Sequence, residues 1–114
     1  MYICGEYTCT VPATRMFPFN VGASHNALLI VIEHRYYGES QPFNTWETKN
    51  FAYLSAEQAL SDLAAFVRLY LREEREHPRQ WVMIGGSYPG ALSAWFRARY
   101  PEWAVASWSS SGVV

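Results

Sequence analysis

Apolar residues along the chain fall into short continuous runs separated by polar turns, with one longer helical stripe between them. Residues 1–5, Met1-Tyr2-Ile3-Cys4-Gly5, read as a short strand. Residues 6–26 lack any such period, and Pro12, Pro18 and Gly22 mark them as a turn-rich segment pinned by Phe17 and Phe19. Residues 27–32 are apolar throughout and end in the β-branched Ile30, Val31 and Ile32, which suits a buried parallel strand. The run switches abruptly to Glu33-His34-Arg35-Tyr36-Tyr37-Gly38-Glu39-Ser40. A helix follows, with Leu60, Leu63, Val67 and Tyr70 on one face. Ser55 and Gln58 form a capping-box pattern at its start, and Pro78 stops it after about Glu76. Trp81-Val82-Met83-Ile84 is the next buried run, and Ala91 to Arg97 begins a helix that Pro101 closes near Tyr100. Residues 103–108 read as a last strand.

The order is strand, loop, strand, helix, strand, helix, strand. It predicts an α/β fold: a parallel sheet of about four strands with flanking helices and right-handed crossovers. So few elements cannot cover both faces and both edges of such a sheet. Residues 1–114 are therefore expected to be a partial domain, a fragment of a larger core and poorly soluble by itself. In an open parallel sheet the C-terminal strand ends form the functional edge, where both 33–40 and the turn after residue 84 fall.

Composition narrows the function classes. Half of the 114 residues are hydrophobic and 17% are charged, which suits one packed domain. A net charge of −1 gives no reason to expect nucleic acid or an anionic membrane as partner. No apolar run approaches the roughly 20 residues of a membrane span, and the first residues do not have the form of a signal peptide. Arg68, Arg72 and Arg75 are mixed with Glu73, Glu74 and Glu76, a solvated face laced with ion pairs. Cys4 and Cys9 could close a small disulfide loop or be two small buried hydrophobes; without a nearby histidine they do not make a zinc site. No metal or cofactor is expected.

The chemistry concentrates in Gly85-Gly86-Ser87-Tyr88-Pro89-Gly90, between a strand and a helix. Strand, glycine-flanked serine turn and helix are the context of a nucleophile elbow, in which a sharp turn lifts the hydroxyl off the sheet edge. The helix N-terminus would offer backbone N–H groups to a developing oxyanion. Pro89 stands where the second glycine of G-x-S-x-G is usual, and it is compatible with a first helical turn. The competing reading is an ordinary serine in a glycine-rich βα turn. A serine hydroxyl needs a base, and in this architecture the order is Ser, then Asp or Glu, then His. After Ser87 there is no histidine and no aspartate, and Glu102 is the only acid. Upstream, His25 and His77 read as surface residues. His34 lies at the same sheet edge, where packing within its own turn competes with a role as base. Asp62 sits mid-helix among core positions and does not suit a triad acid.

The 33–40 stretch with Pro42-Phe43, taken with Gly85-Gly86-Ser87-Tyr88, resembles the serine peptidase family of lysosomal prolyl carboxypeptidase, dipeptidyl peptidase II and thymus-specific serine protease. Residues 55–62, Ala94-Trp95-Phe96-Arg97 and Tyr100-Pro101 are similar to the family's segments around the elbow, so the likeness covers nearly the whole chain. It implies a partial α/β-hydrolase core with Ser87 as nucleophile. It places the oxyanion donors at the Tyr88 N–H and at Gly5 or Glu6, although Cys4-Gly5-Glu6-Tyr7 is less glycine-rich than the family form. The family carries its acid and histidine far downstream, beyond an inserted helical domain. The resemblance further implies an exopeptidase acting on short peptides at prolyl bonds, a peptide substrate as partner, and a homodimer for the full-length parent. It also implies a lysosomal or secreted setting, which inclines Cys4 and Cys9 toward pairing. The alternatives are an esterase or serine carboxypeptidase on the same fold, or a truncated non-catalytic relative.

Overall fold

A computed structural model describes residues 1–11, 16–73 and 79–113. Its strands are β1 (Tyr2–Ile3), β2 (Val31–Ile32), β3 (Trp81–Gly86) and β4 (Ala104–Ser110), and its α-helices are α1 (Phe17–Ser24), α2 (Ala56–Glu73) and α3 (Tyr88–Arg99). The strands form one sheet in the order β2-β1-β3-β4, parallel at every pairing. This is the α/β architecture expected from the sequence, with β1 and β3 central.

Successive strand residues point to opposite faces, and β3 sorts its side chains accordingly. Trp81 and Met83 are buried on one face with Met1 and Ile3, where Leu60, Leu63 and Val67 of α2 and Leu92 and Phe96 of α3 close over them. Burying each large apolar side chain of this kind stabilises the fold by about 1.5–3 kcal/mol. Trp81 meets Phe66 and Tyr70 of α2 edge-on, with ring centroids 6.3 and 5.4 Å away. Ser55 does cap α2, since its Oγ accepts the Gln58 N–H at 3.2 Å. On the other face Val82, Ile84 and Trp108 are covered only in part by α1, through Phe19 against Tyr2 (5.8 Å) and Phe17 against Trp108 (5.4 Å).

Several boundaries differ from the sequence reading. The strand expected over 27–32 is confined to Val31–Ile32. Its register with β1 pairs Tyr2 with Val31 and Ile3 with Ile32. Leu28 and Leu29 are exposed. The turn-rich segment contains α1, whose Pro18 sits in the first helical turn where a missing N–H costs nothing. A short 3-10 helix, Thr48–Tyr53, was also not signalled. β4 runs on to Ser110 because β3 extends through Gly86 and each pairs the other along that length. The expected end of α2 near Glu76, with His77, Pro78, Arg75 and Glu74, lies outside the described residues. Arg68 and Arg72 are exposed, as a solvated face requires.

Candidate active site

The β3–α3 turn places Ser87 at φ 61°, ψ −131°, a left-handed backbone conformation that non-glycine residues rarely adopt. Such a residue costs about 1–3 kcal/mol and persists only when its surroundings fix it. Here the end of β4 does so. The Ser87 N–H donates to Ser110 O at 2.9 Å, and the Ser87 carbonyl accepts from Ala91 N–H (3.2 Å) and Val113 N–H (3.4 Å). The Ser87 side chain makes no capping bond to the helix and is exposed.

Two of the three glycines make the turn possible. A Cβ on Gly85 would collide with the Pro89 carbonyl, and one on Gly90 would lie 2.9 Å from Ser110 O. Around Gly86 the nearest atom would be 3.9 Å away, so that position is open. Pro89 fits in place of the usual glycine because its ring rests on Gly5, where a Cβ would come within 2.8 Å of Pro89 Cγ. The same contact brings the loop after β1, which holds Gly5 and Glu6, against the elbow. Gly5 is buried and Glu6 exposed. The first four N–H groups of α3, Tyr88 among them, have no acceptor within the helix and form its positive end.

Cys4 and Cys9 form a disulfide with Cα atoms 5.8 Å apart, closing the loop that carries Gly5 and Glu6. Glu33 ties this loop to the 33–40 turn. Its carboxylate accepts the Cys9 N–H (2.9 Å), the Glu39 N–H (3.1 Å), the Ser40 N–H (3.0 Å) and the Ser40 hydroxyl (2.8 Å). These donors, Cys9 foremost and then the Ser40 hydroxyl, hold the Glu33 carboxyl below the ordinary glutamate value.

His34 is 6% exposed and both ring nitrogens face partners: Nδ1 lies 2.7 Å from Arg35 O and Nε2 3.0 Å from Tyr88 Oη. One nitrogen therefore bonds within its own turn and the other to the elbow residue Tyr88, and neither reaches Ser87. Burial, followed by the nearby Glu6 carboxylate, raises the Tyr88 hydroxyl above its ordinary value, so it remains a donor. Asp62 is not a core residue; its half-exposed carboxylate takes Arg35 in a bidentate pair, Nε to Oδ2 at 2.7 Å and Nη2 to Oδ1 at 2.6 Å. That leaves it unsuited to orient a base. His25 is exposed and bonds locally to Ser24 and the Val21 carbonyl. Glu102, the only acid after Ser87, is exposed.

A cavity of about 240 Å³ opens beside the elbow, lined by Glu6, Tyr37, Leu54, Ala56 and Tyr88 with His34 in its wall. Three larger ones lie around Met1 and Trp81 (about 770 Å³), under α1 (about 590 Å³) and between Leu60 and Trp95 (about 460 Å³); Ser87 lines none of the four. Among the described residues no group of His, Cys, Asp and Glu could hold a metal ion.

A parallel sheet, a strained serine between strand and helix, and glycines where backbone meets backbone define an α/β-hydrolase type of architecture. Comparison with known sequences fixes the family: the description Serine carboxypeptidase S28 matches residues 1–114, and the chain belongs to this family of serine peptidases. The chain is 44% identical over 124 aligned residues, covering all of it, to a protein of Arabidopsis thaliana named probable serine protease EDA2. It is 39% identical over 102 residues, 86% of its length, to the human lysosomal Pro-X carboxypeptidase, and 38% identical over the same share to the bovine one. It spans 25%, 21% and 20% of the lengths of these relatives.

Proposed function

We propose that residues 1–114 are the nucleophile-bearing part of a serine exopeptidase core, with Ser87 attacking the carbonyl carbon of short peptides. The single observation that supports this most is the exposed Ser87 hydroxyl on a strained strand-to-helix turn, in a chain of the S28 family. In the proposed cycle the Ser87 Oγ–C bond forms as the hydroxyl proton passes to a base, and the Tyr88 N–H, with a second N–H from Gly5 or Glu6, stabilises the oxyanion. The C–N bond then breaks, the amine leaves with that proton, and water hydrolyses the acyl ester. Neither His34, held by Arg35 and Tyr88, nor Asp62, held by Arg35, is available as base or orienting acid. The base and acid are therefore assigned to other parts of the whole protein, and the 114 residues alone are expected to be inert.

The substrate proposed is a short peptide cleaved at a prolyl bond, and the setting lysosomal, on the strength of relatives named lysosomal Pro-X carboxypeptidase. A homodimer of the whole protein is proposed with it. The test is labelling of the whole protein by a fluorophosphonate, with turnover of a prolyl peptide. Both are expected to vanish in Ser87→Ala. Labelling that survives this change would overturn the assignment of Ser87. Turnover by the 114 residues alone would overturn their inertness.

A further inference from the structure

His34 is the buried titratable group for which the serine chemistry above has no use. A carbonyl oxygen only accepts, so the nitrogen 2.7 Å from Arg35 O, Nδ1, carries the proton. In the neutral ring Nε2 then holds the lone pair, and the Tyr88 hydroxyl at 3.0 Å donates into it. The imidazole stands edge-on against Tyr37 (5.3 Å, 76°) and tilted against Tyr88 (5.5 Å, 56°), which leaves it little room to turn. The carbonyl that orients it belongs to Arg35, whose guanidinium is fixed by Asp62 of α2 and by the Tyr53 carbonyl at 3.0 Å. A continuous path of directed bonds thus runs from α2 through Arg35 and His34 to the side chain of the residue that follows Ser87.

We propose that His34 is a positioning residue of the elbow: by accepting the Tyr88 hydroxyl it fixes Tyr88, and with it the wall of the adjoining cavity and the oxyanion donor beside Ser87. Tyr88 is half-buried at the first position of α3, where no intrahelical bond restrains its N–H. It also lines the 240 Å³ cavity with Leu54 and Ala56. Loss of the hydroxyl bond frees that ring about two side-chain torsions and loosens the donor, which matters at a site where small misplacements lower rates. The inference rests on Ser87 as nucleophile for its kinetic consequence, whereas the His34–Tyr88 bond stands on its own geometry.

The kinetic experiment uses the whole protein and four variants. Tyr88→Phe deletes the donor and keeps the ring; His34→Leu deletes the acceptor; His34→Gln keeps an acceptor oxygen; the last is the double variant His34→Leu/Tyr88→Phe. Tyr88→Phe and His34→Leu are each expected to lower kcat about tenfold, the scale of one buried hydrogen bond, with KM changed less than about threefold. The double variant is expected to be no slower than the slower single, and His34→Gln to recover most of the rate. Wild-type kcat in Tyr88→Phe, or losses that multiply in the double variant, would overturn the proposal. So would a His34→Gln rate as low as that of Ser87→Ala, which would make His34 the base. Should His34→Leu fail to fold, Tyr88→Phe still decides. Nitrogen-15 NMR of the imidazole in the whole protein reads the bond without activity: the Nδ1–H tautomer is expected, with Nε2 shifting in Tyr88→Phe. An unmoved Nε2 overturns the bond, while turnover surviving Ser87→Ala sinks only the nucleophile.

Discussion

Two turns leave the same sheet edge, and they treat their polar groups in opposite ways. Both hold a non-glycine residue in the left-handed region, Tyr36 at φ 69° and Ser87 at φ 61°. In the 33–40 turn Glu33, His34 and Tyr36 are all occupied. Tyr36 donates its N–H to Ser40 O (2.8 Å) and its hydroxyl to Asn50 O (2.6 Å), Glu33 accepts four bonds, and His34 uses both nitrogens. In the elbow the backbone is equally well fixed, yet the Ser87 hydroxyl is outside the capping bonds and exposed. Charge and histidine content would have pointed to the first turn. Accounting for bonds points to the second, because a group already held by its neighbours has nothing left for a substrate.

Glycine substitutions give the largest expected contrast. In Gly85→Ala the new Cβ meets the Pro89 carbonyl, a backbone group that cannot move without opening the elbow. The expected loss exceeds about 4 kcal/mol, so no cooperative urea transition should be seen. In Gly38→Ala, at φ 55°, the new Cβ meets the Glu33 carboxylate, the far end of a side chain that can swing away. The cost there is about 1–3 kcal/mol, from the φ and from displaced bonds. A wild-type urea midpoint in Gly85→Ala would erase the distinction between the two turns.

Glu33 provides the next test. Glu33→Gln removes the charge on which Cys9, Glu39 and Ser40 converge and is expected to cost about 2 kcal/mol at neutral pH. The sign with pH follows from the depressed carboxyl, held down first by the Cys9 N–H. A carboxyl whose folded value lies below its unfolded value contributes stability above the unfolded value and loses it as pH falls through the folded one. Wild-type stability should therefore decline on acidification below about 4.5, the ordinary glutamate value, while Glu33→Gln declines less. Parallel pH profiles for the two proteins would show that the 33–40 turn does not depend on the carboxylate.

The same two turns show what the sequence could disclose. Glycine, serine and proline spacing located the elbow, because backbone clashes at Gly85 and Gly90 are local to the turn. The layering followed from apolar runs, since β3 and β4 pair along their whole length. What remained hidden was set by distant partners. The run at 27–32 reads as a full strand, but its pairing with Tyr2 and Ile3 confines β2 to Val31–Ile32. α1 offered only Pro18 in a first turn, with Gly22 and Pro18 both reading as turn signals. The fate of Asp62 and His34 depended on Arg35 and Tyr88, which lie 27 and 54 residues away along the chain. A hydrogen bond across such a separation leaves no periodic trace.

The smallest effect isolates strain from chemistry at Ser87 itself. Replacing Ser87 with glycine relieves a backbone conformation costing about 1–3 kcal/mol, set against the roughly 0.5–1 kcal/mol by which glycine's freedom favours the unfolded chain. The net expectation is a gain of about 1 kcal/mol, read as a higher urea midpoint. Ser87→Ala keeps a Cβ at φ 61° and should stay within about 0.5 kcal/mol of wild type. Both variants lack the hydroxyl, so their difference measures the strain less glycine's freedom in the unfolded chain, with no contribution from the hydroxyl. At the 33–40 turn Tyr36→Gly should show no such gain, because the ring stacked on Phe51 at 5.6 Å and the bond to Asn50 O are lost with the side chain. If Ser87→Gly were the less stable of the two Ser87 variants, the turn would be holding its serine without strain, and one physical mark separating it from an ordinary βα junction would be gone.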